Sequence, residues 1–404
     1  MSRSPRLILV ANSIPVADAD FLKDKIFGLS GHFDLHFFCW DKRSSKKLFL
    51  QKYGDKLCKL NIHLYYNKWG TLTLLSLLLL NASRLLFHPL LSIKTIRKML
   101  NLYKGNRKKA FIRFSLYFPI IKLKPDIVHF EFGTLARTFS DLKQFVDCKT
   151  SVSFRGYDIN FIGLDVPEYY KDVWSNLDGF HFLGNDLKQR AIKRGYIGGK
   201  IEALIPPAVD TTLFIPTDNK NASDKLVIIS VGRLTWKKGY EYALQALAML
   251  KQKGFSFEYR IAGDGNHKQA IQFAVVELGL EDVVLLGALD KSAIKKELDN
   301  AHVFLHPAVS EGFCNAVIEA QAMALPVIAT NADGLAENIE DGITGFIVPV
   351  YNASAIAERL EWCYTNREEL SAMGKEGVKR VQQHFKIEEQ VKKFKDFYIR
   401  LYAS

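Results

Sequence analysis

Residues 306–326 read HPAVSEGFCNAVIEAQAMALP and contain two glutamates, Glu311 and Glu319. The segment Asn315–Ala324 is predicted to form a helix, which ends before Pro326 because proline lacks the N–H that would continue it. Nearly every position of this helix is apolar, which is typical of a helix buried on most sides. Glu319 is therefore placed in surroundings of low dielectric, where an ionised carboxylate needs a partner.

Two kinds of partner fit Glu319, and the local sequence does not decide between them. The first is the N-terminal N–H groups and dipole of its own helix, which contribute about 0.3–1 kcal/mol to a nearby carboxylate. The second is a ligand hydroxyl, such as that of a ribose, which can donate to either carboxylate oxygen. The first interpretation is structural and the second is functional.

The sequence on both sides of this stretch alternates between apolar strands and helices. Because such alternation is typical of parallel sheets with helices on both faces, it predicts the α/β class with two doubly wound, Rossmann-like domains. In the N-terminal half, strands at 6–11 and 34–38 flank a helix at Phe21–Leu29. In the C-terminal half, strands are predicted at Leu226–Val231, Glu258–Ala262, Val283–Leu286, Val303–Leu305 and Val327–Thr330, separated by helices at Tyr240–Lys251, Lys268–Leu278 and Ser292–Asn300.

A turn-rich linker that begins near Ile205 separates the two predicted domains. The first domain is assigned to residues 1–205 and the second to residues 206–385, since 404 residues suit two domains of ordinary size. The first domain includes an insert near residues 60–123 that is both apolar and basic.

Charge is uneven along the chain. Residues 1–124 hold 23 Lys and Arg against 6 Asp and Glu, whereas the remainder holds 32 against 37. The apolar run Leu72–Leu80 is too short to span a bilayer, but a tract of cations and aromatic residues, Lys94–Arg113, follows it. These features predict an interfacial helix at an anionic membrane surface. A core helix beside a solvated basic face is the alternative.

Cysteine usage points to a reducing compartment. The five cysteines are far apart, and no C-x-x-C occurs among them, which argues against disulfides and zinc. The first apolar run, Leu7–Ala11, is too short for a signal peptide. We therefore expect a cytoplasmic protein that associates peripherally with the inner face of the membrane and binds no nucleic acid.

The loops that follow the predicted strands of the second domain carry polar groups. Arg233 and Lys238 lie on the loop Gly232–Gly239, which opens a helix and suits a diphosphate. A solvated basic turn is the alternative for this loop taken alone. The next strand is followed by Gly263-Asp264-Gly265, and the third loop carries Glu311. Since ligands bind beyond the carboxyl ends of parallel strands, cations and carboxylates together indicate a nucleotide-sugar site.

Further motifs extend this pattern on both sides. They are Pro206…Val209-Asp210…Phe214, then Asn331-Ala332-Asp333-Gly334-Leu335-Ala336-Glu337…Gly342…Thr344-Gly345-Phe346…Val348-Pro349. With Gly232-Arg233…Lys238-Gly239, Gly263-Asp264-Gly265 and the two glutamates, they make the chain resemble the retaining glycosyltransferases of family 4, including those of bacterial cell-surface polysaccharide biosynthesis. The resemblance implies the GT-B fold, in which two Rossmann-like domains face each other across a cleft. It also implies that a C-terminal helix, here residues 386–404, crosses back to the first domain.

The same resemblance implies roles for individual residues. Arg233 and Lys238 would hold the donor diphosphate and stabilise the departing charge. Glu311 would contact the donor sugar, and Glu319 would bind the ribose. No side chain is placed as a covalent nucleophile, which implies a same-face displacement. The other donor-site candidates are Gly232, Gly263, Asp264, Gly265, Asn315 and the residues Gly312, Phe313 and Cys314, whose backbone N–H groups would face the donor.

Candidates on the acceptor side come from the first domain. Arg155 stands where many family members carry a histidine, and it is a catalytic candidate that could serve the phosphate or the acceptor. Gly156 and Asp158 follow it, and His129 and Glu131 lie around the end of an earlier predicted strand, Ile127–Phe130. These four are candidates for lining the cleft, although a strand histidine is more often a core residue.

No metal and no other cofactor is expected. Asp18-Ala19-Asp20 has the D-x-D form of a metal site in the other large glycosyltransferase fold. Its place directly after the first strand, and the cations near Arg233, argue against that function.

The expected partners are a nucleotide-sugar donor and a lipid-linked or growing glycan acceptor. An epimerase of the same fold, and a non-catalytic basic protein that binds a membrane or polyanion, are the other functions considered. An epimerase would lack the Gly-Arg…Lys-Gly motif together with the paired glutamates, and a binding protein would not need them. The donor's sugar and base, the acceptor and the linkage are not predicted.

Overall fold

A computed structural model of the chain describes residues 3–15, 21–39, 43–54, 60–64, 71–217 and 224–404. The chain divides into two compact units. The first comprises Met1–Phe182, Arg190–Ala203 and Lys393–Ser404, and the second comprises Leu183–Gln189 and Leu204–Lys392. Each unit contains a parallel sheet with helices packed around it, as the alternating sequence pattern predicted.

In the part of the chain that the structure describes, the first unit is built on a seven-stranded sheet ordered β3-β2-β1-β4-β5-β6-β7. Leu7 of the central strand pairs with Leu35 on one side and Ile127 on the other, both in parallel. The central strand is buried on both faces, which explains its unbroken apolar run. The strands are β1 (Arg6–Ala11), β2 (Asp34–Cys39), β3 (Asn61–Leu64), β4 (Ile127–Phe130), β5 (Lys149–Phe154), β6 (Gly179–Phe182) and β7 (Ile201–Leu204).

Helices connect these strands. In chain order they are α1 (Phe21–Leu29), α2 (Arg43–Tyr53), α3 (Thr71–Phe87), α4 (Pro89–Leu102), α5 (Arg107–Leu123), α6 (Gly133–Thr138), α7 (Gly156–Asn160), α8 (Lys171–Asn176) and α9 (Asn185–Lys193). Helices α3 to α5 form the predicted insert between β3 and β4. Pro89 starts α4, because proline fits the first helical position, and the Asn106 side chain caps α5 by accepting the Lys109 N–H. Among the described residues, no helix is both long and apolar enough to cross a membrane.

The second unit has a six-stranded sheet ordered β10-β9-β8-β11-β12-β13 over its described residues. Its strands are β8 (Leu226–Val231), β9 (Phe257–Ala262), β10 (Val283–Gly287), β11 (Val303–His306), β12 (Val327–Thr330) and β13 (Gly345–Val348). Its helices are α10 (Tyr240–Gln252), α11 (Lys268–Glu277), α12 (Lys291–Asp299), α13 (Asn315–Ala322), α14 (Ala353–Thr365) and α15 (Arg367–His384). The strand order reverses direction between β8 and β11, and doubly wound sheets bind ligands at such a point.

Helix α13 is buried by its apolar residues, as predicted, and Val317 and Ile318 are inaccessible to solvent. It ends two residues before the predicted boundary. Ala324 has a φ of 56°, outside the helical region, and the Leu325 N–H donates to the Ala320 carbonyl. The chain therefore turns out of the helix before Pro326 is reached.

The last helix, α16 (Ile387–Ala403), begins in the second unit and joins the first unit from Lys393 onward. Its buried residues include Phe397 and Leu401, which pack over Gly179 of β6. This arrangement matches the predicted return of the C-terminal helix to the first domain. None of the four cysteines in the described ranges forms a disulfide.

Candidate active site

Backbone contacts lock together the loops that follow β8 and β9. A Cβ on Gly263 would overlap the Gly232 carbonyl oxygen, so only glycine fits there. The Leu234 N–H donates to the Asp264 carbonyl at 3.0 Å, and a side chain on Gly265 would overlap the Leu234 backbone. The two glycine motifs chosen from the sequence therefore meet at the carboxyl ends of neighbouring strands.

The loop after β11 is joined to the same structure. The Val309 N–H donates to the Lys237 carbonyl at 2.8 Å. Gly239 has a φ of 63°, and a Cβ on it would overlap the Pro307 carbonyl oxygen. All three loops consequently form a single backbone assembly at the switch point of the sheet.

Lys238 and Glu311 form a buried ion pair at the centre of this assembly. The Lys238 Nζ also lies 3.4 Å from Nε2 of His306, and that nitrogen is 3.7 Å from Oε2 of Glu311. Burial opposes the charged form of each partner. Burial is the largest single effect, but the attraction of the pair together with the contacts of His306 and Cys314 outweighs it, so the pKa of Lys238 is raised and the pKa of Glu311 is held well below its usual range.

Asp333 fixes the loop that carries Glu311. Its Oδ2 accepts hydrogen bonds from Ser310 Oγ at 2.6 Å and from the Glu311 N–H at 3.1 Å. Asp333 adopts a φ of 47°, a left-handed conformation that is uncommon for a residue with a side chain. The carboxylate of Glu311 is thus positioned by a neighbouring strand's loop as well as by its own.

The N-terminus of α13 lies directly after Glu311. Among the hydrogen bonds of the described residues, none is donated by the backbone N–H of Gly312 or Phe313. The Cys314 N–H, in contrast, points to Asn338 Oδ1 at 3.4 Å, and the Cys314 carbonyl accepts from the same amide. The first two N–H groups therefore suit an anion better than the third. Asn315, also a donor-site candidate, begins the helix and is half-buried.

Glu319 has far weaker partners than Glu311. Its side chain is 15% exposed, and Lys291 Nζ lies 4.0 Å from its carboxylate. Within the described ranges, no group donates a hydrogen bond to it. Burial, only partly offset by Lys291, raises the pKa of Glu319 to about 7. The helix's own N–H groups do not satisfy this carboxylate, so of the two interpretations open from the sequence, the geometry favours a ligand hydroxyl.

Arg233 and Asp264 lie at the rim of the site, and both are exposed. No ion-pair partner of Arg233 occurs among the described residues. Arg233, Lys237 and Lys238 concentrate three cations on one loop. Burial lowers the pKa of Lys237, and its two cationic neighbours lower it further against the attraction of Glu311. The loop can therefore accept a strongly anionic ligand.

A second polar cluster lies at the carboxyl end of β4 in the first unit. Glu131 is fully buried and pairs with Lys25 Nζ at 2.6 Å and with Arg155 Nη2 at 3.2 Å. Lys25 also lies 3.9 Å from the centre of the Phe394 ring. Burial lowers the pKa of Lys25 to about 8, against the attraction of Glu131. Arg155, 17% exposed, is the cation of this cluster that reaches the surface.

Three of the four acceptor-side candidates of the first unit have buried side chains. His129 is wholly buried, and its two ring nitrogens contact Ser151 Oγ and Ser153 Oγ at 2.9 and 2.8 Å. Both carboxylate oxygens of Glu131 form ion pairs, one with Lys25 and one with Arg155. Asp158 is also buried and accepts the Arg155 N–H, and burial raises its pKa to about 6. Glu131 and Asp158 therefore hold Arg155 in position, whereas Gly156 beside it is half-buried.

Sequence reasoning missed four residues of these two sites: His306, Lys291, Asp333 and Lys25. His306 ends β11 and is the first residue of the segment 306–326, so its position at a strand end was the available signal. Lys25 lies on α1, and no local pattern linked it to a glutamate more than a hundred positions away. Lys291 is likewise brought to Glu319 only by the fold.

His306, Glu311 and Cys314 each offer a metal-ligand atom, and these atoms lie within 4.8 Å of one another. The ammonium group of Lys238 already forms an ion pair with the same carboxylate. A metal ion would therefore have to displace a buried cation. Asp18 and Asp20, the other metal candidates, lie outside the described residues.

Known proteins resemble this chain in both sequence and fold. The family model described as glycosyl transferases group 1 matches residues 213–380. WcaL of Escherichia coli (strain K12), named as a colanic acid biosynthesis glycosyltransferase, is 32% identical over 275 residues, or 65% of this chain and 67% of that protein. The amylovoran biosynthesis glycosyltransferase AmsK of Erwinia amylovora is 40% identical over 247 residues, or 57% of this chain and 59% of that protein.

The crystal structure of Anabaena Alr3699/HepE in complex with UDP matches 98% of this chain and 100% of its own with a TM-score of 0.73. Its sequence identity is only 14%, so it supports the fold alone. That fold is the GT-B arrangement of two Rossmann-like domains, as the sequence resemblance implied. Taken with the relatives in sequence, these matches show that the chain is an enzyme and belongs to the group 1 glycosyltransferase family.

Proposed function

We propose that this glycosyltransferase moves a sugar, with retention of anomeric configuration, from a nucleotide-sugar to a lipid-linked or growing glycan acceptor in polysaccharide biosynthesis. The observation that carries the donor assignment is the contrast within one site. The charge of Glu311 is balanced by the ammonium group of Lys238, whereas Glu319 is buried with no hydrogen-bond donor among the described residues. A buried carboxylate without such a donor, like that of Glu319, is suited to accepting hydrogen bonds from ligand hydroxyls.

The donor diphosphate would bind at the cationic loop. Arg233 is exposed and accessible, and Lys238 lies behind it, so the pair can neutralise charge on two phosphates. The N–H groups of Gly312 and Phe313 supply further donors at the start of α13. Glu319 would accept hydrogen bonds from the ribose, with the exposed loop Gly263-Asp264-Gly265 beside it.

The reaction breaks the bond between the anomeric carbon and the diphosphate oxygen. The acceptor oxygen attacks from the same face, and its proton passes to the departing diphosphate. Lys238 and Arg233 would stabilise the negative charge that develops there. Glu311 is held ionised by Lys238, which fits a residue that contacts the sugar and stabilises positive charge on it.

The first unit would supply the acceptor side. Arg155 is held in place by Glu131 and is partly exposed, which suits contact with an anionic or hydroxylated acceptor. We place the reaction in the cytoplasm at the inner face of the membrane. The names of WcaL and AmsK support a polysaccharide product, and the UDP bound to Alr3699/HepE makes uridine nucleotides the first donors to test.

Purified full-length protein would be screened against UDP-, GDP- and ADP-sugars by thermal shift, since a ligand that binds the native state raises the melting temperature. We expect one donor to stabilise the protein and to be hydrolysed slowly to free sugar. Proton NMR of the first product formed should show the anomer of the donor. Inversion would refute the retaining mechanism, and hydrolysis of no donor would refute the assignment as a transferase acting on nucleotide-sugars.

Metal dependence is tested in the same assay. We propose that the cations of the protein replace a divalent ion at the diphosphate, so EDTA should leave hydrolysis unchanged. Loss of activity in EDTA, restored by a divalent metal, would overturn this proposal.

A further inference from the structure

The helical hairpin α3–α4 exposes apolar side chains. Leu86, Phe87 and Leu90, at the turn between the two helices, are 76%, 73% and 85% exposed. Monomeric soluble proteins rarely expose a contiguous patch of this kind without a partner. Among the described side chains of this hairpin, the exposed large apolar residues are Leu78, Leu79, Leu80, Leu85, Leu86, Phe87, Leu90, Ile93 and Leu102.

The inner side of the same hairpin is polar. Asn81 and Arg84 of α3 are buried, and the Asn81 amide donates to Ser115 Oγ at 2.6 Å. Arg84 donates to Asn81 Oδ1 at 2.9 Å and to the Ser115 carbonyl at 3.0 Å, while Ser92 Oγ donates to the Arg84 carbonyl. Around its tip the hairpin thus buries polar groups and exposes apolar ones, whereas farther along α4 the apolar Met99 is buried. The arrangement around the tip is the reverse of the pattern that water selects.

Charge surrounds the apolar tip. Residues 71–124 contain eleven Lys and Arg and no Asp or Glu. On α4, Lys94 and Arg97 stand four and seven positions after Leu90, so they lie on the same exposed side of the helix. The rise of an α-helix places Arg97 roughly 10 Å along the axis from Leu90. An apolar tip followed by cations at this spacing matches the boundary between acyl chains and headgroups.

We propose that the α3–α4 hairpin docks into an anionic bilayer. Its tip, residues 86–90, enters the acyl boundary, and Lys94 and Arg97 meet the headgroups. A second copy of this chain is a poor occupant, because it would bring two carboxylate-free, cationic surfaces together. The sequence-based alternative of a core helix does not hold for residues 78–87, whose leucines face outward. This inference does not depend on the proposed transfer reaction.

Vesicle flotation tests the proposal with the full chain. Wild-type protein should float with vesicles of phosphatidylcholine and phosphatidylglycerol, and binding should weaken with salt and on phosphatidylcholine alone. The triple variant Leu86→Ser, Phe87→Ser, Leu90→Ser should bind at least about tenfold more weakly. Lys94→Gln with Arg97→Gln should weaken binding to the anionic vesicles by roughly tenfold to thirtyfold.

Matched changes in the second unit serve as the control. Phe273 and Val276 on α11 are 67% and 75% exposed, and Phe273→Ser with Val276→Ser should leave vesicle binding unchanged. The depth to which the hairpin tip enters the bilayer is measured with the variant Phe87→Trp. Lipids with brominated acyl chains should quench the fluorescence of this added tryptophan. They should not quench the fluorescence of the tryptophan added in Phe273→Trp.

Two results would overturn the proposal. One is wild-type protein that does not float with anionic vesicles. The other is a triple variant that floats as well as wild type. A change from dimer to monomer in the triple variant, measured by light scattering, would also overturn it in favour of a second copy. The triple variant should retain the thermal shift with its donor, which keeps this test separate from that of the proposed function.

Discussion

Replacing Glu319 with glutamine removes a buried charge that lowers the stability of the folded protein. The carboxylate is buried, Lys291 is 4.0 Å away, and its pKa is raised from 4.5 to about 7. A raised pKa in the folded state means that the unfolded chain ionises first as pH rises. The contribution of this group to stability is therefore full below about pH 4.5 and is lost as pH rises through about 7.

The size of the effect follows from that shift. One pKa unit corresponds to about 1.4 kcal/mol, so ionised Glu319 should destabilise the folded state by about 3 kcal/mol at alkaline pH. Glu319→Gln should then be more stable than wild type above about pH 8 and nearly equal to it near pH 4.5. For a unit of roughly 200 residues, this corresponds to a rise in melting temperature of about 5–10 °C.

Binding should change in the opposite direction. A hydrogen bond to a charged acceptor contributes about 1.5–3 kcal/mol, so Glu319→Gln should bind the nucleotide roughly tenfold to a hundredfold more weakly. Melting temperature measured against pH, together with calorimetric titration of the nucleotide, tests both parts. Glu277→Gln, an exposed change on α11, should alter neither quantity.

The reasoning fails in either of two ways. A stability difference between Glu319→Gln and wild type that does not depend on pH would show that burial does not perturb this carboxylate. Unchanged nucleotide affinity would show that Glu319 does not bind the ribose. Its charge would then affect the stability of the fold alone.

Arg233→Gln should lower turnover about a hundredfold without lowering the melting temperature, because the exposed guanidinium acts only on the leaving diphosphate; steady-state kinetics and thermal shift check this. Glu131→Gln should destabilise the first unit by about 3 kcal/mol, measured by denaturant unfolding, because it leaves Lys25 buried without a full counter-charge. Gly263→Ala should lower both stability and donor affinity, since its Cβ would overlap the Gly232 carbonyl; circular dichroism melts and donor titration measure the two effects.

Each of these predictions has a control of the same chemistry. Lys253→Gln removes an exposed cation from the second unit, and equal loss of turnover in it and in Arg233→Gln would contradict a specific role. Glu168→Gln breaks an exposed ion pair with Lys171, and it should cost far less than Glu131→Gln. Gly254→Ala introduces a side chain at a φ of 80° with no atom within 4 Å, so it isolates backbone strain from the overlap expected at Gly263.

Much of the fold could be predicted, because buried parallel strands are continuous apolar runs. Helix α1 was predicted with the bounds that the structure gives, and β8 and β12 likewise. Strand β13 and helices α14 and α15 were not assigned, although Gly345–Val348 lies within a recognised motif. The glycosyltransferase family was also identified correctly, because several spaced motifs together are far more specific than the paired glutamates alone.

The partners of each site residue could not be predicted. The spacing of Glu311 and Glu319 placed both near the end of β11. It did not reveal that Glu311 has a close ion-pair partner, whereas Glu319 has only a distant one. Lys238 was assigned to the diphosphate alone, yet it also holds Glu311, so replacing it would leave a buried carboxylate without its main partner. His129 is buried, as is more common for a strand histidine, but its hydroxyl partners on a neighbouring strand could not be predicted. The direction of the hairpin's leucines likewise depends on packing that composition does not encode.

The close contacts of Gly239, Gly263 and Gly265 with the carbonyl groups of Pro307, Gly232 and Leu234 bear on attempts to re-engineer donor choice. Transplanting one loop from a homologue would import a backbone path that no longer fits its two neighbours, even if every donor-contacting side chain were well chosen. The three loops should be exchanged as a set, or their main chain left intact while residues facing the ligand are varied. Libraries that randomise these glycines should yield mostly inactive clones.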